Sequence, residues 1–189
     1  ANLSEWKALV DSLDTHQCLL RGALREGFEK FAQNGTMNRR VRRKDGIEPN
    51  LRDVPRTWAI FDIDALDPDL PIYDVTDPED AYTEAVQSGV LPSCFKEPGA
   101  GGVSSLVVMS ASAGTDGADG KKTGTVNMKV VALFDEPLTG DQVANWLNHE
   151  GVKDHQSFDT ATLRTVQPIY VASPICEEDV SDPVAQRTC

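Results

Sequence analysis

Alternating apolar and polar positions predict several short helices and strands. Apolar residues at helical spacing predict one helix over residues 3–13 and another that starts at Pro137-Leu138-Thr139 and runs to about residue 148. Asp77-Pro78 predicts a third helix start, because proline suits the first helical turn, and Gly89 predicts its end. Apolar, β-branched runs predict strands over residues 58–64, 105–110, 126–134 and 166–171.

This irregular order of strands and helices predicts an α+β fold, with a central mixed or antiparallel sheet flanked by helices. The length of 189 residues fits a single domain over residues 1–189. The chain has neither an apolar run of about 18 residues nor a basic segment followed by an apolar leader. We therefore expect a cytoplasmic protein without a membrane partner.

The strand over residues 58–64 ends in two carboxylates, those of Asp62 and Asp64. Side chains alternate between the faces of a strand, so these two share a face while Phe61 and Ile63 point into a core. Two anions that close repel each other unless a cation lies between them, and carboxylate oxygens suit magnesium, manganese or calcium. Asp62 and Asp64 are therefore predicted metal ligands. The alternative is a strand that ends in an acidic, solvated loop.

Four other residues are candidates for the same chemistry. Asp159 is a possible third carboxylate, or alternatively the N-cap of a helix. Lys129 interrupts an apolar strand, so it either lies at a sheet edge or points into a polar site. Ser110 and Ser112 are predicted to leave a strand on the same face and enter a glycine-rich loop, where hydroxyl and amide groups can hold phosphate oxygens.

The net charge of −12 argues against a nucleic-acid partner, but the charge is unevenly distributed. Residues 1–56 contain eleven Lys and Arg against eight Asp and Glu, whereas the remainder contains seven against twenty-two. This basic excess indicates either a solvated loop or a cationic arm that meets phosphates near the metal. It is concentrated in Arg39, Arg40, Arg42, Arg43 and Lys44.

Four segments occur in a recognisable order. They are Pro55-Arg56-Thr57-Trp58 leading into Phe61-Asp62-Ile63-Asp64, then Met109-Ser110-Ala111-Ser112-Ala113-Gly114, then Leu133-Phe134-Asp135-Glu136-Pro137-Leu138-Thr139, and Asp159 followed by Arg164-Thr165-Val166-Gln167-Pro168-Ile169-Tyr170-Val171-Ala172-Ser173-Pro174. Together they resemble the archaeo-eukaryotic primase superfamily, in particular primase-polymerase domains of replication proteins from phages, plasmids and integrated elements. The resemblance covers roughly residues 16–187.

The resemblance implies an RRM-like catalytic core that performs metal-dependent nucleotidyl transfer, as template-directed primer synthesis or DNA extension. Asp62 and Asp64 match the first metal-binding motif of the family and Asp159 the third, with Mg²⁺ or Mn²⁺ as cofactor. The implied partners are nucleoside triphosphates, a single-stranded or primed DNA template and a replicative helicase. The domain would then be part of a longer replication protein.

The resemblance also implies a nucleotide-binding set. Lys129 stands where the family usually has a histidine that contacts the phosphates of the incoming nucleotide, and this is a departure from the family pattern. Ser110 and Ser112 fall in its small-hydroxyl motif. The arginines expected to hold the triphosphate are Arg39, Arg40, Arg42, Arg43 and Arg56.

Two alternatives remain open from the sequence. The run over residues 59–64 is also similar to the haloacid dehalogenase type of phosphatase, in which Asp62 would attack phosphorus and Asp64 would shuttle the proton. Against this, Ala65 and Leu66 follow instead of the expected glycine and threonine. The second alternative is a catalytically inactive primase-like binding module, which the departure at Lys129 and the acidic charge favour.

Overall fold

The computed structural model describes residues 2–27, 39, 41–44, 46, 48–66, 76–96, 100, 102–114, 125–152, 157–174 and 181–189. Arg40 and most of the glycine-dense segment, residues 115–124, lie outside these ranges. Within these ranges, no helix is both long enough and apolar enough to cross a membrane.

The described residues form α-helices, strands and one short 3-10 helix. The helices are α1 (Leu3–Ser12), α2 (Pro78–Gln87) and α3 (Gly140–His149), with the 3-10 helix over Thr160–Leu163. The strands are β1 (Leu19–Leu20), β2 (Ala23–Leu24), β3 (Leu51–Arg52), β4 (Arg56–Leu66), β5 (Ser105–Met109), β6 (Val126–Leu138), β7 (Phe158–Asp159) and β8 (Pro168–Ile169).

Capping explains where two of the predicted helices begin. The Asp77 side chain accepts hydrogen bonds from the amides of Glu79 and Asp80 at the start of α2. At the start of α3, Thr139 and Gln142 form a reciprocal capping box. Both helix starts are therefore encoded locally. In contrast, the strand predicted over residues 166–171 is reduced to the two residues of β8.

The main sheet has four strands in the order β5-β6-β4-β7, and each neighbouring pair is antiparallel. Two further antiparallel pairs, β1 with β8 and β2 with β3, lie outside it. From β4 to β7 the chain runs strand, helix, strand, strand, helix, strand, with β4 and β6 in the centre of the sheet. This arrangement confirms the predicted α+β class.

One face of the sheet packs against helices α2 and α3. Phe61 and Ile63 of β4 are fully buried there, together with Val143 and Leu147 of α3. Alternation along β4 directs these apolar side chains towards the helices. The prediction that Phe61 and Ile63 face a core is therefore confirmed.

The opposite face of the sheet is apolar at one end and polar at the other. Trp58 and Ile60 of β4 pack with Trp6 and Val10 of α1, and the two tryptophan rings meet edge to face at 5.0 Å. The next residue of β4 on this face is Asp62, beyond the apolar cluster. On this face of the sheet, the first part of β4 is therefore covered by α1, and the part at Asp62 is polar.

Candidate active site

Strand register brings three charged residues into one row across the sheet. Asp62 of β4 lies opposite Lys129 of β6 on one side and opposite Asp159 of β7 on the other. Directly opposed residues of antiparallel strands lie on the same face of the sheet. Two carboxylates from distant parts of the chain therefore flank the same polar surface, with the lysine beside them.

Lys129 makes an ion pair with Asp62 in a largely buried setting. Its Nζ lies 2.8 Å from Asp62 Oδ1, and the two side chains are only 11% and 13% exposed. The same Nζ donates a hydrogen bond to Ser110 Oγ at 3.1 Å. Of the two roles that the sequence allowed for Lys129, the structure has the polar site, because β6 is an interior strand.

The Asp62 carboxyl is buried beside one cation and two further carboxylates. Its Oδ1 atom is buried, and its partner among the described residues is the Lys129 ammonium at 2.8 Å. Burial raises the pKa of Asp62, the Lys129 ammonium opposes that rise, and the negative charges of Asp64 and Asp159 add to it. An additional cation would favour the ionised carboxylate.

Asp159 combines the two roles that the sequence left open. Its Oδ1 accepts a hydrogen bond from the Ala161 amide at 2.7 Å and caps the short 3-10 helix. The same residue lies opposite Asp62 in the sheet. A carboxylate has two oxygens, so capping through one leaves the other for a second contact.

Asp64 lies at an irregular end of β4. The register between β4 and β6 shifts here, and Ala65 adopts a positive φ of 52°. The Asp64 amide donates to the Ser157 carbonyl at 2.9 Å, and the Ala65 amide donates to Asn127 Oδ1 at 2.9 Å. These contacts hold an exposed carboxylate beside Asp62. Nothing in the sequence pattern singled out Asn127 or Ser157.

The prediction that Ser110 and Ser112 leave the strand on the same face is wrong. Strand β5 ends at Met109, and the Ala113 amide donates back to the Ser110 carbonyl, so the chain turns before Ser112. Strand alternation does not extend through a turn. Ser110 is buried and contacts Lys129, whereas Ser112 is exposed.

Arg187 holds the Ser110 end of β5 from the other side. Its Nη1 donates to the Ser110 carbonyl at 2.7 Å, and its Nε and Nη2 atoms bond the Asp182 carboxylate. These hydrogen bonds lower the pKa of Asp182. The main chain of Thr188 forms a β-bridge with Val108, so this segment pairs with the edge of β5 that faces away from β6. No local sequence pattern would have indicated this role.

Arg56 does not join the carboxylates. It begins β4, about 20 Å along the strand from Asp62. Its Nε donates to the main-chain carbonyl of Arg21 at 2.9 Å. Arg21 is itself fully buried and donates to the carbonyls of Trp58 and Leu138, where the register of β4 and β6 breaks. Arg56 therefore contacts main-chain carbonyls at the opposite end of the strand.

The described arginines of the basic segment do not join the carboxylates. Arg42 lines a cleft of about 530 Å³ with Arg164 and with residues of α3, and neither Lys129 nor any of the three predicted metal ligands lines it. Arg39 is exposed, and Arg43 pairs with Glu48 at 3.1 Å in an exposed contact. Arg40 lies outside the described residues.

In the part of the chain that the structure describes, no group of three or more His, Cys, Asp or Glu side chains is arranged to hold a metal ion. The contacts explain this. Asp62 faces Lys129, and Asp159 caps a helix, so the carboxylates share a face without converging on one point. Binding of Mg²⁺ or Mn²⁺ stays a prediction.

Comparison of the chain with protein-family models, with curated proteins and with solved structures finds no match.

Proposed function

We propose that this chain is a metal-dependent nucleotidyltransferase of the primase-polymerase type, which extends or initiates DNA strands on a template. The observation that carries the proposal is the strand register that sets Asp159 opposite Asp62. The resemblance in sequence predicts that these two acids, from different motifs, cooperate with Asp64. A strand register that placed Asp159 far from Asp62 would have contradicted the proposal.

The order of elements also supports an RRM-like core. The chain from β4 to β7 follows the β-α-β-β-α-β order, and its first and third strands are central in the sheet. Helix α1 covers the apolar end of the sheet face opposite these two helices, so a ligand could bind only at the polar end of that face. Asp62, Lys129 and Asp159 lie on that face.

The donor set fits Mg²⁺ or Mn²⁺ in its chemistry. Asp62, Asp64 and Asp159 provide carboxylate oxygens on the same face, and Lys129 already contacts Asp62 Oδ1. When bound, such a metal lowers the pKa of an attacking hydroxyl and neutralises phosphate charge. To hold the cation together, the three aspartates would have to move closer to one another than their present contacts with Lys129 and the Ala161 amide place them.

Lys129 and Ser110 are placed to hold the phosphates of a nucleotide. They touch each other beside Asp62, and a lysine binds phosphate as a point charge. The cleft that contains Arg42 and Arg164 also contains Asp53 and Asp141 and is lined by none of these groups, so it adds nothing to the proposal.

A catalytically inactive primase-like module is the second candidate. The ion pair between Lys129 and Asp62 favours it, because an internal cation already compensates the buried carboxylate. Such a module would bind nucleotide or DNA without incorporating nucleotide. The two candidate functions therefore differ in whether the protein incorporates nucleotide.

Nucleotide incorporation on primed and unprimed single-stranded DNA, with magnesium or manganese, tests the proposal. We expect Asp62→Ala to reduce incorporation by about 100-fold or more. Asp62→Asn, which keeps the side-chain shape, should do the same. Asp135→Ala, at an exposed position of β6 away from the row, is the matched control and should leave the rate unchanged.

A wild-type protein that incorporates no nucleotide with either metal would contradict the proposal. Binding of template without incorporation would then support the inactive module. Phosphate release from p-nitrophenyl phosphate that is lost in Asp62→Asn would support the phosphatase alternative.

A further inference from the structure

We propose that Asn127 is a positioning residue, which fixes the Asp64 carboxylate by holding a β-bulge at the end of β4. The inference rests on the proposed function, because the position of Asp64 affects the rate only if its carboxylate takes part in the reaction. Asn127 belongs to none of the four segments that carry the resemblance.

The bulge consists of Asp64 and Ala65, which together lie opposite the single residue Asn127 of β6. Ile63 pairs with β6 immediately before the bulge, and Leu66 pairs with it immediately after. Because of the extra residue, Ile63 and Leu66 both pack in the core on the helix side, although alternation alone would place them on opposite faces. The two residues between them are exposed. The bulge therefore sets the direction in which the Asp64 side chain leaves the strand.

The bulge includes a backbone conformation that has to be held in place. Ala65 is the only non-glycine residue with a positive φ, 52°, in the part of the chain that the structure describes. This region is unfavourable for alanine, so it persists only where the surrounding contacts enforce it. Asn127 provides such a contact, because its Oδ1 accepts a hydrogen bond from the Ala65 amide at 2.9 Å.

The Asn127 side chain is itself held in one orientation. It is buried, and its Nδ2 donates to the carbonyl and to the hydroxyl of Thr125, at 3.2 and 3.1 Å. These two hydrogen bonds orient the side-chain amide so that Oδ1 faces the Ala65 amide. A buried polar network whose members all have partners is rigid. Asn127 is therefore a firm support for the bulge.

Asn127 also contacts the other side of the candidate site. Its main-chain carbonyl accepts a hydrogen bond from the Ser110 amide at 3.0 Å. Lys129 follows two residues later in β6 and lies on the same face of the sheet. Asn127 thus fixes the bulge that carries Asp64 relative to Ser110 and Lys129. A displacement of a catalytic group by about 1 Å can lower a rate by about 100-fold.

Asn127→Leu tests the inference, because leucine keeps the side-chain volume and removes the hydrogen bond to Ala65. We expect kcat for nucleotide incorporation to fall about tenfold or more. KM for the nucleotide should stay within about twofold of wild type, since Lys129 and Ser110 are unchanged. Asn127→Ala replaces Asn127→Leu if circular dichroism shows that the latter is unfolded. Gly140→Ala, at the start of α3, is the control for lost stability and should keep the wild-type rate below its melting temperature.

Ala65→Gly separates position from stability. Glycine adopts a positive φ without steric cost, so adding Ala65→Gly to Asn127→Leu should raise the midpoint of urea denaturation without restoring the rate. Ala65→Gly alone should keep the rate within about twofold of wild type, because the hydrogen bond from Asn127 remains. A rate that recovers together with the urea midpoint would show that Asn127 acts only through stability and would overturn the inference.

Amide hydrogen exchange, measured by NMR without nucleotide, tests the hold on the bulge independently of catalysis. Exchange at Ala65 should be at least about tenfold faster in Asn127→Leu than in Gly140→Ala, and equal exchange in the two variants would overturn the inference. Faster exchange in a protein that never incorporates nucleotide would refute the nucleotidyltransferase alone. Incorporation by wild type that Asn127→Leu leaves unchanged would refute the positioning role alone.

Discussion

Asp159 has two roles that substitution can separate. Asparagine caps a helix about as well as aspartate, because its side-chain oxygen also accepts from the main-chain amide, whereas alanine cannot. Asp159→Asn therefore keeps the 2.7 Å hydrogen bond from Ala161 and removes only the negative charge opposite Asp62. Asp159→Ala removes both. The lost cap should cost about 1 kcal/mol, equivalent to a fall in Tm of about 2–4 °C for a chain of this size.

Removing the charge of Asp159 has a further effect on stability. The folded-state pKa of Asp62 is raised, so its ionisation costs stability as the pH rises above the ordinary aspartate pKa of about 4. The negative charge of Asp159 is one of the causes that raise the pKa of Asp62, after burial. Asp159→Asn should therefore lose less stability between acid and neutral pH than wild type does.

Thermal denaturation and nucleotide incorporation, measured on the same preparations, check this reasoning. Both Asp159 variants should lose metal-dependent incorporation, but only the alanine variant should show the lower Tm. An asparagine variant that incorporates nucleotide like wild type would refute a role for the third carboxylate. An alanine variant as stable as the asparagine variant would show that the cap contributes nothing.

Three other predictions concern the support of the site. Thr162→Val should lower the free energy of unfolding by about 1–3 kcal/mol in urea denaturation, because a buried carbonyl of β4 loses its 2.7 Å hydrogen bond; an unchanged midpoint would contradict this. Gly140→Ala should lower the free energy of unfolding by about 1–3 kcal/mol in the same assay, because a Cβ there would lie 2.2 Å from the main-chain oxygen of Leu163. A variant as stable as wild type would show that the start of α3 can shift to make room. Arg187→Met should speed amide hydrogen exchange at the edge of β5 that pairs with the segment carrying Arg187. In wild type the pKa of Asp182 is lowered, so exchange should also become faster as the pH falls through that pKa. Exchange rates that change neither with the substitution nor with pH would contradict the role of Arg187 in holding this segment to β5.

Features that depend on near neighbours in the chain could be predicted from the sequence. Alternation along β4 placed Phe61 and Ile63 in the core and Asp62 on the other face, because side chains of a strand alternate whatever the strand pairs with. The starts of α2 and α3 follow from the capping residues Asp77 and Thr139, whose hydrogen bonds reach only two or three residues along the chain.

Features that depend on which strands pair required the folded chain. The register that sets Lys129 and Asp159 on either side of Asp62 joins three strands, and no local pattern specifies it. The same holds for Arg187, which reaches Ser110 from a distant segment. The prediction that Ser112 shares a face with Ser110 was wrong because the chain forms a hydrogen-bonded turn after β5.

The residue types along the chain thus determine what chemistry is available: carboxylates, a lysine and hydroxyls near strand ends. Packing determines which of these groups meet, since long-range strand pairing is stabilised by the whole core and not by the charged residues themselves. The ion pair between Lys129 and Asp62 is the clearest case, because the two residues are far apart in the chain and only the register of β4 and β6 makes them partners.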